Sequence, residues 1–360
     1  MTVSREDLEG AIARMVAEIE DPRAGLFGPG SIAWAIDREA INFLCGGRAA
    51  LLQLAHPFVA QAIADHSSVE SDPLRRFKRT FAFVYDMLFG DLDQAIASAR
   101  RVHRIHTKIE GALDPAVTIF PAGTRYRAND EESLLWVYAT LHDSSVLAYE
   151  TVVRPLDAEE RARYLRESHR FALLFGIPER LLFDRWRDFA DYNARMWSWL
   201  EVTPTARGIA EALLTPRAPA LRPMFRWYRI MTAGLLPPPI REGFGLPFTD
   251  QHRRIFQASL RSLRLSYRLT PARLRHVPAH AHAVRRLAGG EGPDRLAAWL
   301  ERVDGVLLTG GDDFDTRRLG LGPTHPAATP TPPEKQDSDL ALARLAIERG
   351  LPVLGICYGM

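Results

Sequence analysis

Residues 92–111, LDQAIASARRVHRIHTKIEG, decide the reading of this chain. Ile96, Ala99, His103 and His106 recur at spacings of three, four and three, which is one stripe of a helix. The stripe begins apolar and ends in two imidazoles. The preceding segment, DPLRRFKRTFAFVYDMLFG (72–90), sets Arg76, Arg79 and Thr80 at helical spacing. A later one, SLLWVYATLHDSSVLAYE (133–150), puts Trp136, Thr140 and Asp143 on one face. A buried polar group costs a few kcal/mol unless it is paired. Three helices sharing that cost predict a polar object among them. An anionic, metal-centred cofactor suits these side chains, with imidazole for iron and arginine for propionates.

The rest of the first 285 residues is also helical in pattern. Ser4 with Asp7, and Asp157 with Glu160, read as capping boxes. Asp72-Pro73 and Asn129-Asp130 read as helix starts. Residues 37–64 read as two helical pieces joined at Cys45-Gly46-Gly47 or at His56-Pro57, and PAGTRYRA (121–128) as a connector or an extended segment. Trp186, Trp197 and Trp199 are expected in the core. HVPAHAHAVRR (276–286) is expected to be a loose surface segment. The pattern changes near Gly289-Gly290. Two apolar runs, 303–309 and 351–356, flank a loop and a helix over 337–348, which predicts an α/β unit with parallel strands. Two domains follow, 1–288 and 291–360, and a mainly α molecule.

Composition narrows the classes. With 46% apolar and 25% charged residues, the chain reads as an ordinary globular protein. A net charge of +2 gives no reason to expect a nucleic-acid partner. Cys45 and Cys357 lie far apart in unlike segments, so a disulfide framework is not expected and a reducing cytoplasm is. The N-terminus has no apolar run, so no signal peptide is read, and no stretch suits a transmembrane helix.

Four ordered motifs carry a resemblance over about residues 30–285: GGRAALLQLAHPFVAQAIADHS (46–67), the D-P-x-R-R-x-x-R-T run (72–80), H-T-K-I-E-G (106–111) and WVYATLHDSSVLAYE (136–150). Together they resemble the MpaB-like family, which includes the catalytic domain of the latex-clearing rubber oxygenases. The resemblance implies an all-helical fold, haem b, and an oxygenase acting with dioxygen on an apolar substrate. It implies His106 as the proximal iron ligand, with His103 nearby on the propionate side and able to exchange roles with it. It places Arg76 and Thr140 beside the cofactor, and Arg79 and Thr80 on the catalytic side. Where characterised members have a lysine that reaches the iron, this sequence has Arg79. Arginine stays protonated and is a poor ligand, so rubber is not carried over as the substrate. A hydrogen-bonded core histidine would satisfy the same stripe.

A second resemblance lies in DGVLLTGGDDFDTRRLG (304–320) and LPVLGICYGM (351–360). These segments resemble class I glutamine amidotransferases of the gamma-glutamyl hydrolase type, a flavodoxin-like α/β fold. Cys357 matches the family's nucleophile, with Gly355 and Gly359 allowing its tight turn. The histidine and glutamate partners of that family follow the cysteine at a distance. The expectation is therefore an incomplete fragment with a vestigial nucleophile. The alternative function is a gamma-glutamyl amide hydrolase with a helical accessory domain.

Overall fold

A computed structural model describes residues 1–66, 73–114, 117–121, 123–216, 218–288, 300–301, 303–308, 313–325, 328, 330–331 and 333–355, with backbone alone over 73–80 and 333–334. The molecule is mainly α and divides into two compact units, Met1–Ala283 and Val284–Met360.

The first unit opens with α1 (Arg5–Val16), whose capping box pairs Ser4 with Asp7 as the sequence predicts. α2 (Ile32–Asp37) leads through a 3₁₀ turn, Ala40–Cys45, to α3 (Gly46–Leu54) and α4 (Pro57–His66). The chain breaks at both predicted joints. Gly47 is needed where it stands: a Cβ there would lie 2.5 Å from the Thr232 hydroxyl, and its N–H donates to the Tyr228 hydroxyl at 2.6 Å. α5 (Pro73–Phe89) and α6 (Leu92–His106) pack against each other.

After α6 the structure departs from an all-helical reading. β1 (Glu110–Ala112) and β2 (Arg125–Arg127) pair antiparallel, with Gly111 opposite Tyr126. Three-residue strands are too short to show alternation. A Cβ at Gly111 would lie 2.6 Å from the Tyr126 hydroxyl, so the H-T-K-I-E-G glycine makes room for that ring. The hydroxyl donates to Asp65 at 2.6 Å, and His66 Nε2 lies 3.1 Å from the Glu110 carbonyl. The strand pair thus ties down the end of α4.

α7 (Glu131–Val152), capped by Asp130, is central: most of its residues are buried. Its Ala148 and Val152 form one apolar cluster with Leu44, Cys45, Met231 and Leu235. α8 (Ala158–Leu173) carries the predicted Asp157–Glu160 box. α9 (Trp186–Trp199), α10 (Pro204–Leu214), α11 (Arg222–Leu235), α12 (Pro238–Gly243), α13 (Asp250–Leu269) and α14 (Ala272–Arg275) follow. Trp199 corrects the core expectation: it is exposed, and its ring meets Phe120 edge-on at 5.7 Å.

The histidine segment is corrected too. It forms α15 (Pro278–Leu287), within which the unit boundary falls. His280 is buried, its ring centroid 5.4 Å from Trp34 and 5.7 Å from Phe89. His276 Nε2 lies 3.5 Å from buried Glu39, which also accepts from Tyr267 at 2.7 Å. The sequence spacing looked irregular because Pro278 starts this helix rather than breaking it.

In the second unit β3 (Val306–Leu308) runs parallel to β4 (Val353–Gly355), with Val306 opposite Val353 and Leu307 opposite Leu354. α16 (Pro333–Glu348) connects them. Buried Gln336 reads both sides of the Asp315 backbone, accepting from its N–H at 2.8 Å and donating to its carbonyl at 3.2 Å.

Candidate functional site

α6 is built to present its end. Asp91 and Gln94 form a capping box at its start, and Leu92, Ala95, Ser98 and Ala99 are buried along one face. Beyond Ala99 the stripe leaves the apolar interior. His103 and His106 are half-buried in the last turn, where positive charge suits the helix dipole. Both line a cleft of about 680 Å³ whose other walls are the Thr2–Glu9 strap, Arg127 and Asn129.

The cleft's polar groups divide by role. His103 Nε2 lies 3.2 Å from the Val3 carbonyl, which assigns the proton to that nitrogen. Arg100 makes a bidentate pair with Glu9, at 2.9 and 2.6 Å, and so holds that carboxylate below its usual range. Arg127 lies 3.4 Å from Glu110. Arg104 and Lys108 line the same cleft and have no ion-pair partner among the described residues.

Thr140 is not brought to this cleft. It is fully buried in α7, where its hydroxyl donates to the Val137 carbonyl at 2.7 Å and accepts from Gln53 at 3.2 Å. Trp136 Nε1 donates to the Leu52 carbonyl at 2.9 Å. Asp143 accepts from Arg48, whose guanidinium also donates to Ser144 at 2.6 Å and to the Leu235 carbonyl at 3.0 Å. The polar face of α7 is therefore satisfied by α3, whose Arg48 also reaches α11. That removes one of the three grounds on which the sequence pointed to a polar object. Arg76, Arg79 and Thr80 stand on the first turns of α5, but their side chains lie outside the described residues, as do Cys357, Gly310 and Gly311.

Sequence reasoning missed a polar pocket in the interior. A cavity of about 70 Å³ is lined by Asp37, Asn42, Cys45, Phe81, Tyr85, His142, Ser145 and Tyr164. Burial pushes Asp37 up to about 7, against the hydrogen bonds that Ser145 and Tyr164 donate to it. Burial pushes His142 down to about 4, with its Nδ1 2.9 Å from the Tyr138 carbonyl. It also pushes the Cys45 thiol up to about 12, which makes it inert. The signal was present in the W-V-Y-A-T-L-H-D run, where His142 sits one turn from Tyr138, but Asp37, which lines the same pocket, comes from the distant α2.

The residues at the α6 cleft fit a haem. Among the described residues no group of three or more His, Cys, Asp or Glu stands ready to hold a bare ion. A macrocycle would supply the remaining ligands and ask for one imidazole. The cleft lies in the 300–1,000 Å³ range of cofactor sites. Arg104 and Lys108 are available for two carboxylates.

The first unit is thus a helical domain in which two imidazoles a turn apart line one cleft. The chain belongs to the family "ER-bound oxygenase mpaB/B'/Rubber oxygenase, catalytic domain", whose model matches residues 34–265. Residues 274–360 match the Peptidase C26 family. A protein of Mycobacterium tuberculosis (strain ATCC 25618 / H37Rv), "Putative glutamine amidotransferase Rv2859c", is 39% identical over 67 residues, 19% of this chain. The chain spans only 21% of the length of that relative. No solved structure matches the chain. Both matched families are enzyme families. Among the described residues no helix is long and apolar enough to cross a membrane.

Proposed function

We propose that the helical unit is a haem-dependent oxygenase that acts with dioxygen on an apolar organic substrate, and that His106 holds the iron. One observation carries this reading: His103 and His106, a turn apart, open together on a basic cleft within an oxygenase catalytic domain. Haem b, when bound, supplies the activation of dioxygen, and the protein supplies binding, orientation and electrostatics.

The side chains divide that work. His106 is taken as the ligand on the strength of the family resemblance, and His103, whose Nε2 meets the Val3 carbonyl, stands beside it. Arg104 and Lys108 pair with the propionates, joined by Arg76 on the strength of the family resemblance. Arg79 and Thr80 serve as donors toward negative charge as it builds. Phe81 and Tyr85 line the interior pocket and not the α6 cleft; their rings meet Phe43 tilted and edge-on, at 5.3 and 6.3 Å between centroids. No C-x-x-C-H motif is present, so the attachment is non-covalent. The test is the visible spectrum of protein expressed with haem supply. A Soret band is expected, and His106→Ala should abolish it. A full, unshifted band in His106→Ala overturns the assignment.

The C26 match and the parallel β3–β4 pair favour a second reading for the other unit: a gamma-glutamyl amide hydrolase type with Cys357 as nucleophile. Hydrolysis of a gamma-glutamyl amide that is lost in Cys357→Ala supports it. Hydrolysis that persists in that variant overturns it.

A further inference from the structure

The outer face of α13 combines apolar and basic side chains in a pattern that no part of the proposed oxygenase site uses. Its inner face packs Phe256, Leu260, Leu263 and Tyr267 against the cluster of α7 and α11. Leu265 and Leu269 point the opposite way and are 66% and 77% exposed. Leu274, on α14, is 68% exposed. Apart from Met1, these are the most exposed large apolar side chains among the described residues of the helical unit, and they fall within ten positions. Single exposed leucines are ordinary; three together are not.

The charge beside them has one sign. Residues 251–283 contain seven arginines and no Asp or Glu. Arg254, Arg261 and Arg268 recur every seven residues, which lines them up along one flank of the helix. None of the three has an ion-pair partner among the described residues. Ala258 lies in the leucine row, exposed and small.

We propose that this face docks on an anionic lipid bilayer, with Leu265, Leu269 and Leu274 set among the headgroups and acyl ends and the Arg254–Arg261–Arg268 row on lipid phosphates. A basic flank beside an apolar row is the pattern of a helix that lies in a membrane interface. The leucines favour a bilayer over nucleic acid, whose phosphate backbone offers them no apolar partner, and the row carries no aromatic ring on which a base would stack. Made by one flank of a helix whose other face is packed in the domain, the contact is a surface one. It is independent of the haem reading.

The test is co-sedimentation of the full chain with vesicles of phosphatidylcholine and phosphatidylglycerol, against vesicles of phosphatidylcholine alone. Binding to the anionic vesicles, weakened by salt, is expected. Arg254→Gln/Arg261→Gln/Arg268→Gln should lower the partition coefficient on the order of a hundredfold. Leu265→Glu/Leu269→Glu/Leu274→Glu should remove binding at any salt concentration. All six positions are exposed, so the circular dichroism and unfolding midpoint of both variants should match the parent, and the loss is then read as lost docking. Equal binding to both vesicle types overturns the proposal. So does binding that survives the leucine substitutions, or retention by a DNA duplex in place of anionic vesicles.

Discussion

Arg48 and Asp143 form a buried ion pair, Nη2 to Oδ2 at 2.5 Å, that closes α3 onto α7 across 95 residues of sequence. The guanidinium spends its other donors on Ser144 and the Leu235 carbonyl. Three elements therefore meet at one side chain. Replacing Arg48 by Ala leaves Asp143, Ser144 and a backbone carbonyl unpaired, and should cost on the order of 3 kcal/mol. Ser144→Ala removes one neutral acceptor and should cost about 1 kcal/mol. Equilibrium urea unfolding measures both. Equal losses would show that the charge pair is not what holds the junction.

Stability should rise with pH across the mildly acidic range. His142 and His56 are buried and held near 4, below the ordinary value of 6.5. Between those values the unfolded chain binds protons that the folded protein refuses, so their contribution is complete above 6.5 and lost as pH falls toward 4. Asp37 works the other way. Its carboxyl is raised to about 7, so its contribution is present below 3.8 and lost as pH climbs through 7. His280 is also held near 4, and burial lowers His169 and His276 and raises Asp86, so five histidines against two carboxyls leave the histidine slope dominant. Asp37→Asn should steepen the rise between pH 4 and 6.5, and His142→Leu should flatten it. Denaturation midpoints at a series of pH values decide this.

The distal residues give a kinetic prediction. With haem bound, Arg79→Ala and Thr80→Val should each retain the Soret band while lowering oxygen-dependent turnover. Loss of one oriented donor toward developing charge typically costs about 10²–10³-fold. His103→Ala should shift or weaken the band without abolishing it, because its ring is tethered to Val3 beside the proposed ligand. Unchanged turnover in both distal variants would remove Arg79 and Thr80 from the site.

What the sequence shows and what it hides follow from distance along the chain. Ser4–Asp7, Asp130–Ser133 and Asp157–Glu160 are legible because each cap is closed within three residues. The α6 stripe is legible as a helix for the same local reason. The Asp91–Gln94 cap uses the same local chemistry. The partners of α7 are another matter. Nothing local to Thr140 or Asp143 points to Gln53 or Arg48, and the polar stripe looked as if it needed a cofactor when it needed α3. Likewise, Asp37 gains its environment from Tyr164 and His142, which only the fold brings near. β1 and β2 escaped because their pairing rests on Gly111 facing Tyr126, a relation between segments.

The sheet of the second unit predicts its own solution behaviour. Leu307 and Leu354 are cross-strand partners, 55% and 63% exposed, on two parallel strands of three residues each. The two strands among the described residues are too few to cover both faces of a parallel sheet. Apolar strand surface left in water templates association between copies. Leu307→Lys and Leu354→Lys should therefore each raise the concentration at which the protein stays monodisperse in light scattering. Neither should change the thermal midpoint of the helical unit, three of whose apolar clusters are built, among the described residues, from Met1–Ala283. Ending the chain near Gly290 should have the same effect on solubility and leave the Soret absorbance per helical unit unchanged. Aggregation that persists in the shortened chain would move its source to the exposed leucines of α13 and α14.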